Sequence, residues 1–227
     1  MNKIVIANWK SQKLQNQIAP WFEAVGEPPR SIECVVMPAF PLLPVVSQQL
    51  TAGMKLGAQN VSPFPLGAYT GEVAAAQLAD MNVTHCLVGH SERRSHFAET
   101  DELVAAKCQL LQDSAIKPVV CVDEPYLDSQ VAALQAIGIT DIILAYEPLS
   151  AIGSGHSEGL SHVQCVVSVA KKLGNFPVIY GGSVSADTVG EYLLVCDGVL
   201  VATHSLDGAD FNRLLAVAAA EKPSFSV

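Results

Sequence analysis

The sequence predicts a single α/β domain spanning residues 1–227, folded as a (β/α)8 barrel of eight parallel strands ringed by helices. Three observations predict it. Short runs rich in aliphatic and β-branched residues recur down the whole chain, longer stretches with helical spacing separate them, and small or polar residues cluster after each run. The length of 227 residues suits such a barrel, which commonly takes roughly 250.

The strand candidates, in order, are residues 4–7 (IVIA), 34–37 (CVVM), 55–58 (KLGA), 85–88 (HCLV), 118–122 (PVVCV), 142–145 (IILA), 178–180 (VIY) and 198–201 (GVLV). Each is too short for a helix, and few alternate apolar with polar, as expected of strands covered on both faces. Helical spacing is clearest over 103–111, 131–137, 163–173 and 211–220, with Asp101 and Ser161 as N-caps. An open doubly wound sheet is the rival arrangement, and eight strand–helix alternations favour closure. There is no linker, low-complexity tract or short repeat, and only the tail 221–227 reads as frayed.

Composition narrows the partners. Half the residues are hydrophobic and 15% are charged, enough for a large core, while the net charge of -9 argues against nucleic acid or an anionic membrane. An anionic substrate would need a local arrangement of donors. Six cysteines, at 34, 86, 108, 121, 165 and 196, show no Cys-x-x-Cys pair, so reduced and mostly buried thiols in a cytoplasmic protein are expected rather than disulfides or a metal. The N-terminal residues lack the apolar run of a signal peptide, and no segment has the roughly 20 apolar residues of a membrane span.

The clusters after the strands carry the chemistry: Asn8-Trp9-Lys10, Gly89-His90-Ser91-Glu92, Tyr146-Glu147-Pro148, Gly181-Gly182-Ser183 and Ala202-Thr203. In a parallel barrel all of these open onto one face, where active sites are built. A carboxylate at a strand end such as Glu147 is partly desolvated, which suits it to take a proton from carbon; alternatively it is a solvated loop carboxylate. The small-residue segment 151–155 that follows could close over a ligand and offer amides to an anion. His90 could polarise a carbonyl or be a satisfied core histidine, and Lys10 could supply a compact positive charge or be an ordinary exposed lysine. Histidines 85, 96, 156, 162 and 204 lack a comparable motif and are read as structural. Arg93, Arg94, Glu99 and Lys107 are read as a salt-bridged surface. Gly181-Gly182-Ser183 and Ala202-Thr203 end strands seven and eight, where barrels often grip phosphate.

These motifs, with Gly57-Ala58-Gln59-Asn60, Gly67-Ala68-Tyr69-Thr70-Gly71-Glu72, Gly89 through Arg94, Ala145 through Pro148, Ala151-Ile152-Gly153 and Tyr180 through Val184, resemble the triosephosphate isomerase family in sequence and in order, over nearly the whole chain. The resemblance implies a cofactor-free, metal-free exchange of dihydroxyacetone phosphate and D-glyceraldehyde 3-phosphate. It makes Glu147 the carbon base, His90 the neutral electrophile, Lys10 with Asn8 the groups that stabilise the enediolate, and Glu92 their acidic partner. Gly153, Ser183, Ala202 and Thr203 would hold the phosphate. Tyr180 and Ser183 would latch a closing loop, while Ile152 and Leu200 would press on Glu147 and exclude water. It also implies a homodimer joined through the loop from Asn60 to Glu72.

The sequence departs from that family in places. Ala202-Thr203 stands where the family has Gly-Gly, so backbone strain and weaker phosphate binding are expected there. Ser150 replaces a hinge tryptophan, His156-Ser157-Glu158 replaces the usual far hinge, and Asp123 replaces a glycine. Two alternatives accompany the isomerase reading: an isomerase of a related sugar phosphate, for example a four-carbon one, and a barrel of weak turnover with a binding role.

Overall fold

Eight apolar runs of the chain pair side by side and in register, each buried on both faces. The structure, a computed structural model, describes residues 2–149 and 158–221. Its strands are β1 (Lys3–Asn8), β2 (Ile32–Met37), β3 (Met54–Ala58), β4 (His85–Val88), β5 (Lys117–Val122), β6 (Ile143–Tyr146), β7 (Val178–Tyr180) and β8 (Gly198–Val201). Every strand pairs in parallel with its successor, and β8 returns to β1 through Ile4↔Gly198 to Ala7↔Val201, closing the barrel. The predicted closure is therefore found, and the open sheet is not.

Glycine is required at that seam. A Cβ on Gly198 would lie 2.2 Å from the carbonyl oxygen of Ile4, an overlap that backbone on both sides leaves no way to relieve.

Alternate residues of each strand divide into two cores. Ile4, Ile6, Val35, Met37, Leu87, Val119, Ile143, Ile179 and Leu200 point inward and fill the barrel. Val5, Ala7, Val36, Val88, Val120, Leu144 and Val199 point outward and pack under the helices. Among the described residues the helices are α1 (Ile18–Val25), α2 (Leu43–Ser47), α3 (Ala75–Asp80), α4 (Ser91–Phe97), α5 (Asp101–Asp113), α6 (Leu127–Ala136), α7 (Leu160–Leu173), α8 (Val189–Leu193) and α9 (Gly208–Ala220). Helix α1 buries Ile18, Trp21, Phe22 and Val25 on one stripe, and Trp21 stacks on Phe211 of α9 with centroids 5.6 Å apart. These contacts seat the first and last helices together beneath the β1–β8 seam.

Two predicted caps are corrected. Thr100, one residue before Asp101, caps α5 by accepting a hydrogen bond from the Leu103 amide; a hydroxyl in extended backbone has the required reach, and Asp101 already has helical conformation. Helix α7 starts from Gly159, so Ser161 lies inside its first turn.

The predicted salt-bridged surface is also corrected. Glu99 accepts from Arg93 Nε at 2.5 Å and from Lys107 Nζ at 2.5 Å, but the Glu99 and Lys107 side chains are each only 2% exposed. Lys107 lies among Val104, Cys108 and Leu111 on the buried face of α5, and its ammonium also donates to Asn60 Oδ1 at 2.7 Å. A pair removed from water in this way fixes geometry, because either partner alone would be an uncompensated buried charge. Of the six cysteines, all free, five are buried and Cys165 is exposed. The tail 222–227 lies outside the described residues.

Candidate active site

Each strand end delivers its side chain through a constrained local turn. After β1 the chain turns sharply at Lys10, whose φ of 48° lies in the left-handed region. That conformation costs a lysine about 1–3 kcal/mol and persists only where the surroundings enforce it. Here the Asn8 side-chain oxygen accepts from the Lys10 amide at 3.1 Å, and Gln59 donates to both the Lys10 carbonyl (2.9 Å) and the Met37 carbonyl (2.8 Å). The ammonium is thereby held 2.5 Å from Glu92 Oε1, with the Lys10 side chain 19% exposed. Burial works to raise the Glu92 carboxyl, but interactions led by the hydrogen bond and charge of Lys10 outweigh it and hold it below the usual carboxylate range.

After β4, His90 is the N-cap of α4, its Nδ1 accepting from the Glu92 amide at 3.2 Å. An Nδ1 that accepts carries no proton, so the ring is neutral and its proton sits on Nε2. That Nε2 lies 3.5 Å from Glu147 Oε1. Arg94 braces the turn from below. It donates to the Gly89 carbonyl (2.9 Å), Asp101 (2.8 Å) and Gln130 (2.5 Å).

Glu147, following β6, is anchored by its amide to the Val122 carbonyl at 2.8 Å. Its carboxylate is buried, and Oε2 has no hydrogen-bond partner among the described residues. Burial therefore raises its pKa above the usual range; a proton added to His90, the Lys10 ammonium and the Cys121 thiol pull the other way without cancelling the rise, and Glu92 adds to it. A carboxylate in this condition is a strengthened base.

After β7 the two glycines let the chain pass close over the tyrosine that precedes them. A Cβ on Gly182 would fall 2.1 Å from the Tyr180 hydroxyl. That hydroxyl accepts from the Glu158 amide at 3.0 Å, and Tyr192, stacked on Tyr180 at 4.2 Å, donates to the Glu158 carbonyl at 2.7 Å. The chain leaving segment 150–157 is thus tied to β7 and α8.

After β8 the expected strain is absent. Ala202 has φ -98°, and neither it nor Thr203 is among the residues at positive φ. The chain enters a 3-10 turn at Thr203, closed by Ser205, whose amide and hydroxyl both donate to the Ala202 carbonyl at 2.9 and 2.7 Å. A turn of this kind needs no glycine.

These ends meet around one cavity of ≈ 320 Å3, lined by Asn8, Lys10, His90, Glu92, Glu147, Gly181, Gly182, Ser183, Val184, Leu200, Ala202, Thr203 and His204, with Gln12 at its edge. Tyr180 stands behind it, and Leu200 closes the floor from the barrel interior. Ile152 and Gly153 lie outside the described residues, as do Ser150, His156 and Ser157. Sequence reading missed three contributors. Cys121 sits beside Glu147 with no motif to announce it, Arg94 was assigned to the surface, and His204 was assigned a structural role. The set holds a base of raised proton affinity, a neutral imidazole with its proton on Nε2, and an ammonium. It can move a proton between adjacent carbons of a small molecule while stabilising negative charge on the attached oxygens.

Comparison with known proteins agrees. A family model described as triosephosphate isomerase matches residues 3–218. The triosephosphate isomerase of Thermus thermophilus is 33% identical over 249 aligned positions, covering 96% of this chain and 100% of that protein. Those of Mesomycoplasma hyopneumoniae and Nostoc sp. are each 34% identical, covering 95% of this chain and 99% of theirs.

Proposed function

The chain belongs to the triosephosphate isomerase family, and from that premise we propose how its own residues interconvert dihydroxyacetone phosphate and D-glyceraldehyde 3-phosphate. The observation that carries the assignment is the buried Glu147 carboxylate standing 3.5 Å from the neutral His90 in a cavity shared with Lys10. Glu147 takes a proton from one carbon of the bound triose phosphate. The enediolate oxygens that result are met by the Nε2 proton of His90, by the Lys10 ammonium and by Asn8. His90 exchanges the proton between the two oxygens, and Glu147 returns its proton to the neighbouring carbon. Every step is a proton transfer between these side chains and the substrate, so the reaction draws on no cofactor or metal. Glu92 holds the Lys10 ammonium in place, and Leu200 keeps water from the base, a role that Ile152 would share.

The phosphate sits at the β7–β8 end, held by amides of Ser183, Ala202 and Thr203, with Gly153 completing the set from the closing loop. Tyr180 keeps that loop's far end in place through Glu158.

The chain works as one domain and as a homodimer. A second hollow of ≈ 320 Å3, lined by Ser11, Phe40, Gln59, Asn60, Arg93 and Phe97, shares Lys10, His90 and Glu92 with the catalytic cavity. On the same side, the loop from Asn60 to Glu72 presents Phe64 and Tyr69 stacked at 4.4 Å, with Leu66 62% exposed. A projecting apolar loop beside a hollow of matching chemistry supports insertion of one copy's loop into the other. Deleting residues 62–68 should give a monomer of impaired activity by sedimentation, and an active wild-type monomer would end the dimer proposal. Among the described residues no helix is long and apolar enough to cross a membrane, and the buried free thiols support a cytoplasmic setting. The net charge of -9 weighs against nucleic-acid or anionic-membrane partners.

The deciding experiment is a coupled assay with three- and four-carbon sugar phosphates at matched concentrations. Preferred turnover of the triose phosphate is expected; no turnover of it, or a clear preference for the four-carbon compound, overturns the assignment.

A further inference from the structure

One ionisable side chain in the cavity has no part in the mechanism above. His204 belongs to the 3-10 turn Thr203–Ser205 and lines the same cavity as Ser183, Thr203 and Glu147. Its Nδ1 lies 2.6 Å from Oδ2 of Asp210 in the first turn of α9, so the carboxylate accepts a hydrogen bond from Nδ1–H. Nε2 has no hydrogen-bond partner among the described residues, and the side chain is 40% exposed. A histidine kept only for packing would be sealed on both edges, as His85 is, 5% exposed with Thr84 on Nδ1 and Glu33 near Nε2.

Charge gives this imidazole a task. The fixed charges lining the cavity are Lys10, Glu92 and Glu147, one positive against two negative, and Lys10 is already paired with Glu92. With His90 neutral, a phosphate dianion would enter a site of net negative charge. Backbone amides offset part of that repulsion through partial charges alone. Among the described residues, His204 is the one remaining lining side chain that can bring a full positive charge.

We propose that His204 is a ligand of the substrate phosphate, donating from Nε2 while Asp210 holds Nδ1, and that the ring binds phosphate as an imidazolium. The assignment rests on the triose phosphate reading of the site, with the phosphate at the β7–β8 end. The charged groups on the elements around this turn include Asp207, Asp210 and Arg213 on or before α9, Lys10 and Lys13 after β1, Glu92 after β4 and Glu147 after β6. Of these only Asp210 is hydrogen-bonded to the ring among the described residues. Asp210 is accordingly a positioning residue.

The test compares wild type, His204→Phe, His204→Gln and Asp210→Asn on triose phosphate, on phosphate-free D-glyceraldehyde, and for binding of inorganic phosphate by calorimetry. His204→Phe should raise KM for the triose phosphate about tenfold, with kcat within about twofold, and weaken phosphate binding by a similar factor. Turnover of D-glyceraldehyde should fall by much less than that of the triose phosphate at low concentration. His204→Gln should restore part of the binding, and Asp210→Asn should raise KM by less than His204→Phe does. An unchanged KM and phosphate affinity in His204→Phe would overturn the proposal, as would equal losses on both substrates, which mark a merely structural role. Should the wild type fail on triose phosphate altogether, the parent reading falls, while the phosphate titration of wild type against His204→Phe still decides whether His204 binds the anion.

Discussion

Replacing Glu147 by Gln should abolish most turnover and yet stabilise the fold at neutral pH. The catalytic half follows from the role of the carboxylate: a general base contributes about 10²–10⁴-fold, and an amide of nearly the same shape cannot accept the carbon proton. The stability half follows from the site. The carboxyl is buried, one of its oxygens has no partner among the described residues, and burial outweighs the neighbouring Lys10 charge in raising its pKa. Folded protein therefore binds this proton more tightly than unfolded protein does. The stability linked to the group is fully present below the ordinary carboxylate range and is lost as pH rises through the raised folded value. Each unit between the two values corresponds to about 1.4 kcal/mol, or about 3–6 °C in Tm for a chain of this size. Wild type bears that cost at pH 7.5, and Glu147→Gln does not. Thermal unfolding of both proteins from pH 4 to 8 should show the variant's advantage growing with pH across the window above the ordinary carboxylate range. Over the same window, wild-type kcat/KM should fall on acidification as the base is protonated. A variant with near-normal kcat would remove Glu147 from the chemistry. A Tm difference independent of pH would refute the account of its environment.

Lys107→Met should cost about 3 kcal/mol in urea unfolding, the lower end for breaking a buried pair, since Arg93 remains on Glu99; a loss below about 1 kcal/mol would mean that Arg93 alone compensates. Gly182→Ala should cost about 1–3 kcal/mol by overpacking and raise KM, because the new Cβ drives Tyr180 off the Glu158 amide; unchanged KM and Tm would show that the turn relaxes freely. The double variant Ala202→Gly with Thr203→Gly should leave phosphate inhibition unchanged or weaker, since neither residue sits in glycine-like backbone. Tighter inhibition would mean that the side chains crowd the anion.

The strands were legible because a doubly buried strand must be apolar throughout: residues 85–88, 178–180 and 198–201 match β4, β7 and β8 end to end. Where the apolar run continued into an aromatic residue the edge moved, so 142–145 became Ile143–Tyr146. Helix starts were less legible. Thr100 and Asp101 are both good capping residues, and only backbone conformation separates them, whereas the glycine before α7 offers no side chain to recognise. Among the site residues, Glu147, His90 and Lys10 stood next to strand ends in recognisable motifs. Lys107 did not reveal its burial, because a lysine on the inner face of an amphipathic helix reads as an interruption of the pattern. His204 was passed over because its partner Asp210 lies across a 3-10 turn and the first turn of a helix, a spacing no simple periodicity picks out. At Ala202 the substitution was plain but its consequence was not, since dihedral angles belong to the folded turn.

The seam between β1 and β8 has a consequence for how the protein is made. Asn8 ends and Lys10 follows β1, the first strand of the barrel to be made, and Ala202, Thr203 and His204 follow β8, the last. Until β8 emerges, the nascent chain is at best an open sheet whose outermost strands, β1 and β7, present unpaired amides and carbonyls along apolar edges. No half-made barrel owns half a cavity, because its walls come from both the first strand and the last. Activity should therefore be acquired in one step once β8 and the turn after it have emerged, and chains that stop before β8 should become clients of chaperones and proteases rather than slow enzymes.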